Sequence, residues 1–298
     1  MKWQGRERSS NIEDRRSQGG RRAGGGMGNM GGIRIPTGRS GGGLGLVGII
    51  VVLGVIWFAT GQNPIDVLTG GMSGSSTSTS QWAPSSSADE DVLSQFVGVV
   101  VKDTENLWAE VFEQNGATYL PPRVVLFTET TQSGCGVAQS ASGPFYCPND
   151  KKVYIDLSFY DQLRQQFGAP GDFAQAYVIA HEIGHAVQDQ TGVLPEFNRR
   201  RAAMSQDEQN AYSVRVELQA DCYAGVWANY ADKQNLLEQG DAQEAINAAN
   251  QIGDDTLTRG QVSSRNFTHG TSQQRMTWFK RGMQSGDVGQ CDTFNATI

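Results

Sequence analysis

Apolar residues recur at helical spacing between Asp89 and Glu113, at Val92, Phe96, Val99, Val100, Leu107 and Val111. That period predicts a long amphipathic helix. Pro121 and Pro122 break it, and Arg123–Thr128 (RVVLFT) and Lys152–Leu157 (KVYIDL, with Val153, Ile155 and Leu157 alternating) predict two strands. A short helix follows around Tyr160–Phe167, then a Gly168–Gly171 break and a helix from about Phe173 to Gln190. Asp172 and Gln175 have the spacing of a capping pair at its start, and Gly192 follows its end. Ser205 and Glu208 have the same spacing before a helix running to about Tyr230, and Thr271 and Gln274 before the last helix. The expected class is α+β, mostly helical with a small sheet, in one domain over residues 89–298.

A different pattern occupies the first third of the chain. Leu44–Ala59 (LGLVGIIVVLGVIWFA) is apolar without period, inside an uncharged window from Ser40 to Ile65. With its Gly and Thr flanks the run reaches the ~20 residues that a bilayer helix requires. It predicts a transmembrane anchor over 44–61 in preference to a cleaved signal peptide, because the preceding region is long and no small-x-small cleavage site follows. Residues 1–43 are rich in Gly, Arg and Ser, with nine Lys and Arg against three Asp and Glu. They read as a disordered basic tail held in the cytoplasm by the positive-inside rule. Residues 62–88, rich in Ser, Gly and Thr, read as a flexible linker. The expected topology is therefore a single-pass membrane protein with the 89–298 domain periplasmic or extracellular. The chain totals −7, so everything after residue 43 carries −13. That acidity argues against a nucleic-acid surface, which needs a basic footprint.

Chemistry concentrates in AYVIAHEIGHAVQDQ. His181 and His185 are four apart, so one helix face presents both imidazoles to a single tetrahedral Zn²⁺. Glu182 then lies beside the metal as a general base, the arrangement of HExxH metallopeptidases. A metzincin would continue with Gly at 188 and His at 191, where this chain has Gln188 and Thr191. The third ligand is therefore expected from a glutamate on a second helix. VELQADCYAG supplies Glu217, 32 residues after His185, with Asp221 one turn on to hold the far nitrogen of a ligand histidine. The expectation is one zinc per chain, a peptide or protein substrate, and hydrolysis through water activated by Glu182. The competing expectation is a zinc-binding scaffold or envelope adaptor without catalysis, against which Glu182 itself argues, since a structural site needs no base.

HEIGHAVQDQTG, ELQADCYAGVWA, FTHGTSQQR and the closing CDTF together resemble the neutral zinc metallopeptidase family of bacterial membrane-anchored proteins, from the anchor to the C-terminus. The resemblance implies a gluzincin-type, zincin-like fold, an extracytoplasmic domain and zinc. It carries no substrate.

His269 is the third and last histidine, in NFTHGTS, and is a candidate donor to a developing oxyanion; Tyr212 and Tyr223 are weaker candidates. By analogy with zincins, the 152–157 strand is expected to be the edge that pairs with an extended peptide. Four cysteines without CxxC spacing suit an oxidising compartment. Cys135 and Cys147 flank a Gly/Ser loop suited to a disulfide, which would leave Cys222 to Cys291; three connectivities are open.

Overall fold

The computed structural model describes residues 1–18, 87–165, 169 and 171–298. Helix α1 (Ser87–Gln114) buries Phe96, Val99, Val100 and Leu107 of the predicted stripe but leaves Val92 exposed, and it begins two residues before the expected domain boundary. Strands β1 (Ile12–Asp14), β2 (Arg123–Phe127), β6 (Lys152–Asp156) and β5 (Phe145–Cys147) form one sheet in the order β1-β2-β6-β5. The first two pairings are parallel and β5–β6 is antiparallel, with Val124 opposite Val153 and Tyr146 also opposite Val153. Strands β3 (Thr130–Ser133) and β4 (Gly136–Gln139) make a separate hairpin.

The sheet is buried on both faces, which is why β2 reads as a continuous apolar run. Val124, Leu126, Val153 and Ile155 join the main helical core, whereas Val125, Phe127 and Tyr154 face a smaller cluster with Ala138 of the hairpin. A Cys135–Cys147 disulfide clips that hairpin to β5, and a second disulfide joins Cys222 to Cys291.

Helices α2 (Ser158–Gln165), α3 (Asp172–Gln190), α4 (Val193–Arg200), α5 (Gln206–Lys233), α6 (Asp241–Gln251), the one-turn α7 (Asp254–Leu257) and α8 (Ser272–Ser285) complete the domain. Capping boxes at Ser205 and Thr271 start α5 and α8. Helix α3 is buried almost throughout, from Phe173 to Gln188, apart from half-buried Gln175. Helices α5 and α8 cross at two glycines: a Cβ on Gly225 would meet Met283 N at 2.7 Å, and one on Gly282 would meet Val226 N at 2.9 Å. Backbone touches backbone there, and only Gly permits it.

Four expectations require correction. Residues 1–18 are not a disordered tail: they include β1 and pack against α1 and β2, because specific ion pairs and a strand register compensate for their small apolar content. The 152–157 strand is interior rather than an edge, since the three-residue β5 lies outside it. Asp172 and Gln175 form no capping pair; Gly171 is the N-cap without a side-chain bond, and the Gln175 amide oxygen is buried without a partner. Ser87 and Ala88, expected at the end of the linker, already belong to α1. No helix among the described residues is long and apolar enough to cross a membrane. The expected anchor at 44–61 lies outside the described residues, as does most of the 62–88 linker.

Candidate metal centre

Helix α3 presents His181 and His185 one turn apart on the face that meets α5, and α5 presents Glu217 back to them. His181 Nε2 lies 3.2 Å from Glu217 Oε2, and His185 Nε2 lies 3.5 Å from Glu217 Oε1. One ligand atom from each residue falls within 4.8 Å of the other two, and all three side chains are buried.

The far ring nitrogens are already engaged. His181 Nδ1 donates to Asp221 Oδ1 at 2.9 Å, and His185 Nδ1 donates to Gln188 Oε1 at 2.8 Å. Gln188 is fixed in that sense because its amide nitrogen donates to Val216 O and Gln219 Oε1. With Nδ1 engaged, Nε2 is the nitrogen that each imidazole turns toward Glu217 and the one a metal would take.

Asp221 is the hub behind the ligands. Its carboxylate accepts from Tyr177 Oη at 2.5 Å, from Arg275 Nε at 2.8 Å and from Arg275 Nη2 at 2.9 Å. Arg275 arrives from α8 and is 2% exposed, so this is a charge pair fully removed from water. Burial works against the Asp221 charge, but Arg275 and His181 together outweigh it and hold the carboxyl below its usual range.

The electrostatics favour a cation between the three residues. Burial opposes charge on His181, yet the hydrogen bond and charge of Asp221, with Glu217, carry it up to about 10. Burial lowers His185 to about 4. Glu217 is held well below the carboxylate range by His185 and by the His181 hydrogen bond, despite its burial. Two imidazole nitrogens facing one carboxylate, with a preset outer shell, match the His₂Glu donor set of zinc sites with an open fourth position, and a metal there would take the place of the His181 proton.

Glu182 stands next to this set on α3. Burial pushes its carboxyl up to about 7. Its Oε2 accepts from the Tyr146 backbone N–H of β5 at 2.9 Å, so the edge strand orients the carboxylate. Tyr146 Oη in turn donates to Asp189, one α3 turn beyond His185.

His269 lies in the same cavity wall. Asp254 accepts from its backbone N–H at 2.7 Å and lies 3.2 Å from its Nδ1, which leaves Nε2 as the ring nitrogen not engaged by the carboxylate. Burial would lower His269, but Asp254, with Glu217, outweighs it and raises the imidazole above its ordinary value. The cavity measures about 470 Å³ and joins the metal centre to Phe145, Phe159, Leu194, Phe197 and Ile252.

The structure thus brings His181, Glu182, His185, Glu217, Asp221 and His269 together. Tyr212 and Tyr223 stay outside the cavity: Tyr212 stacks on Phe197 at 4.6 Å, and Tyr223 packs edge-on against Trp108 at 5.2 Å. Sequence reasoning missed Tyr177, Gln188, Asp254 and Arg275. Tyr177 and Gln188 lie on the same helix as HEIGH, four residues before His181 and three after His185, a helical spacing that could have revealed them.

The chain matches the family described as "Putative neutral zinc metallopeptidase" over residues 1–294, and it belongs to that family. It is 48% identical to YpfJ of Escherichia coli (strain K12) over 301 residues, covering all of both chains. It is 43% identical to Rv2575 of Mycobacterium tuberculosis (strain H37Rv) over 216 residues, 68% of this chain and 72% of that one. No solved structure matches it.

Proposed function

We propose that this protein is a zinc-dependent peptidase of zincin-like architecture, acting outside the cytoplasm, with His181, His185 and Glu217 holding the metal and Glu182 as general base. The observation that carries the reading is the convergence of two outward-locked Nε2 atoms and a carboxylate beside a separate buried glutamate. Zinc at such a site supplies Lewis acidity toward water and a scissile carbonyl.

The chain's own residues account for the remainder. The Tyr146 N–H occupies one Glu182 oxygen, so the other accepts the proton of the attacking water and passes it to the leaving amine. His269, oriented by Asp254, donates to the oxygen on which negative charge develops. Asp221 and Gln188 keep both ligand imidazoles in the metal-binding tautomer. An extended peptide lies along β5, the sheet edge beside the site, and the apolar cavity takes its side chains. Two disulfides support an oxidising compartment.

The test has two arms. Purified protein should hold about one zinc per chain, with marked loss in Glu217→Ala; full metal in that variant removes Glu217 from the site. Glu182→Gln should keep the zinc and lose cleavage of a protein substrate by at least ~100-fold, whereas unchanged cleavage rules out the base assignment. Zinc without cleavage of any peptide by the wild type leaves a structural metal site and favours the scaffold reading.

A further inference from the structure

The first 18 residues are seated on the domain along their whole length. The Met1 ammonium lies 2.6 Å from Asp172 and 3.2 Å from Asp241, at the N-termini of α3 and α6. Lys2 N donates to Leu236 O, and Trp3 packs edge-on against Phe96 of α1. Arg6 makes a two-pronged pair with Asp103, which is 2% exposed and would otherwise be a buried lone carboxylate. Ser9 N donates to Gly98 O, and a Cβ on Gly98 would already press on the Arg8 side chain at 3.3 Å, so α1 is glycine where the segment crosses it. Glu105 accepts from Ser9 Oγ and from Asn11 Nδ2. Strand β1 then adds to β2 in parallel register, and Lys152 of β6 reaches Glu13 at 3.0 Å.

The segment also leaves from a defined place. Arg16 pairs with Asp91 at 3.2 Å and with Glu90 at 3.8 Å, on the first turn of α1. Gln18 and Ser87, the two ends of the stretch between the described parts, therefore lie at one corner of the domain. Strand pairing requires backbones about 4.8 Å apart. A single crossing by Leu44–Ala59 would put about 30 Å of hydrocarbon between residues 1–18 and residues 87–298. The two arrangements exclude each other, and domain exchange between copies of one topology does not reconcile them.

We propose that residues 1–18 and the metal domain share one side of the membrane, as a single folded unit, and that the apolar run does not separate them by a single crossing. The inference does not depend on the metal being zinc or on peptidase activity.

Two single-cysteine variants of the full chain test it, since the four native cysteines are all in disulfides. Glu7→Cys places a thiol on the N-terminal segment, where the Glu7 side chain is 77% exposed, and Lys280→Cys places one on the exposed side of α8. Cells expressing each variant are treated with a membrane-impermeant maleimide before and after permeabilisation. The two positions should label alike, both before or both only after. Labelling of one in intact cells and of the other only after permeabilisation overturns the proposal. A charge exchange tests the docking itself. Arg6→Asp should speed tryptic cleavage after Arg8 and Arg15 by at least about tenfold, and Arg6→Asp with Asp103→Arg should restore protection. Unchanged protection in Arg6→Asp removes the contact on which the inference stands.

Discussion

Gly282→Ala adds one methyl group 2.9 Å from Val226 N and from Cys222 C, where about 3.4 Å is the ordinary limit. Those atoms are α5 backbone and cannot rotate aside, so α8 must retreat by at least about 0.5 Å. Cys222 O lies nearer still to the added carbon, which takes the required shift toward about 1 Å. Arg275 rides on α8, and its bonds to Asp221 are 2.8 and 2.9 Å. A retreat of that size stretches both toward or beyond 3.5 Å, where a hydrogen bond is largely lost. Overpacking costs about 1–3 kcal/mol and a weakened buried pair adds to it. An expected loss of about 2 kcal/mol corresponds to a fall in Tm of about 4–8 °C for a domain of this size. Because Asp221 orients His181, zinc affinity should fall by about 10–100-fold as well. Denaturant melts followed by circular dichroism and zinc competition with a chromogenic chelator measure the two effects. Gln284→Ala, on the exposed side of α8, is the control and should stay within about 0.5 kcal/mol. A stable Gly282→Ala with unchanged zinc affinity refutes the claim that this glycine contact sets the Arg275–Asp221 geometry.

Other predictions address the cavity wall and the clipped hairpin. The His269 imidazole is raised in the folded state by Asp254, so this pair stabilises the fold at low pH and the contribution disappears as pH rises through the raised value. Asp254→Asn should therefore destabilise the protein more at about pH 6 than at about pH 9, and a gap independent of pH in denaturation experiments would contradict the pairing. The same variant also weakens the bonds from the Thr268, His269 and Gly270 N–H groups, since an amide oxygen is a poorer acceptor than a carboxylate, so some destabilisation should persist at every pH. Replacing Cys135 and Cys147 together by Ala should cost about 2–4 kcal/mol and should reduce turnover beyond what lost stability explains, because Cys147 adjoins the Tyr146 N–H that orients Glu182. Activity that simply follows the folded fraction would disconnect the disulfide from the site.

The sequence made some levels of this structure readable and concealed others for physical reasons. His181, Glu182 and His185, and likewise Glu217 and Asp221, show themselves because helical spacing puts chemistry-bearing residues on one face within a few positions. The boxes at Ser205 and Thr271 are equally local. Arg275 and Asp254 were not readable, since each meets its partner across elements and nothing in the neighbouring sequence marks a buried arginine or a carboxylate that holds a histidine. Strand β5 has three residues, too few for alternation to register, and the edge role expected of β6 rested on analogy with zincins alone. Residues 1–18 were averaged with the Gly-rich stretch that follows, and composition hid a segment held by individual polar contacts. Gln175 shows the opposite error, because a capping spacing was present while the backbone started the helix at Gly171 without it.

The parallel pairing of β1 with β2 joins positions 112 residues apart, Ile12 with Val124. On a ribosome adding about 5–20 residues per second, the strand made first waits roughly 6–22 s for its neighbour. Asp172 and Asp241, which receive the Met1 ammonium, emerge later still. For the later part of that interval, once residue 59 has been made, Leu44–Ala59 is available to the membrane-insertion machinery while the N-terminal strand has nowhere to bind. Biosynthesis thus obliges the N-terminal strand to wait, with an apolar segment already made behind it, until its sheet neighbour arrives.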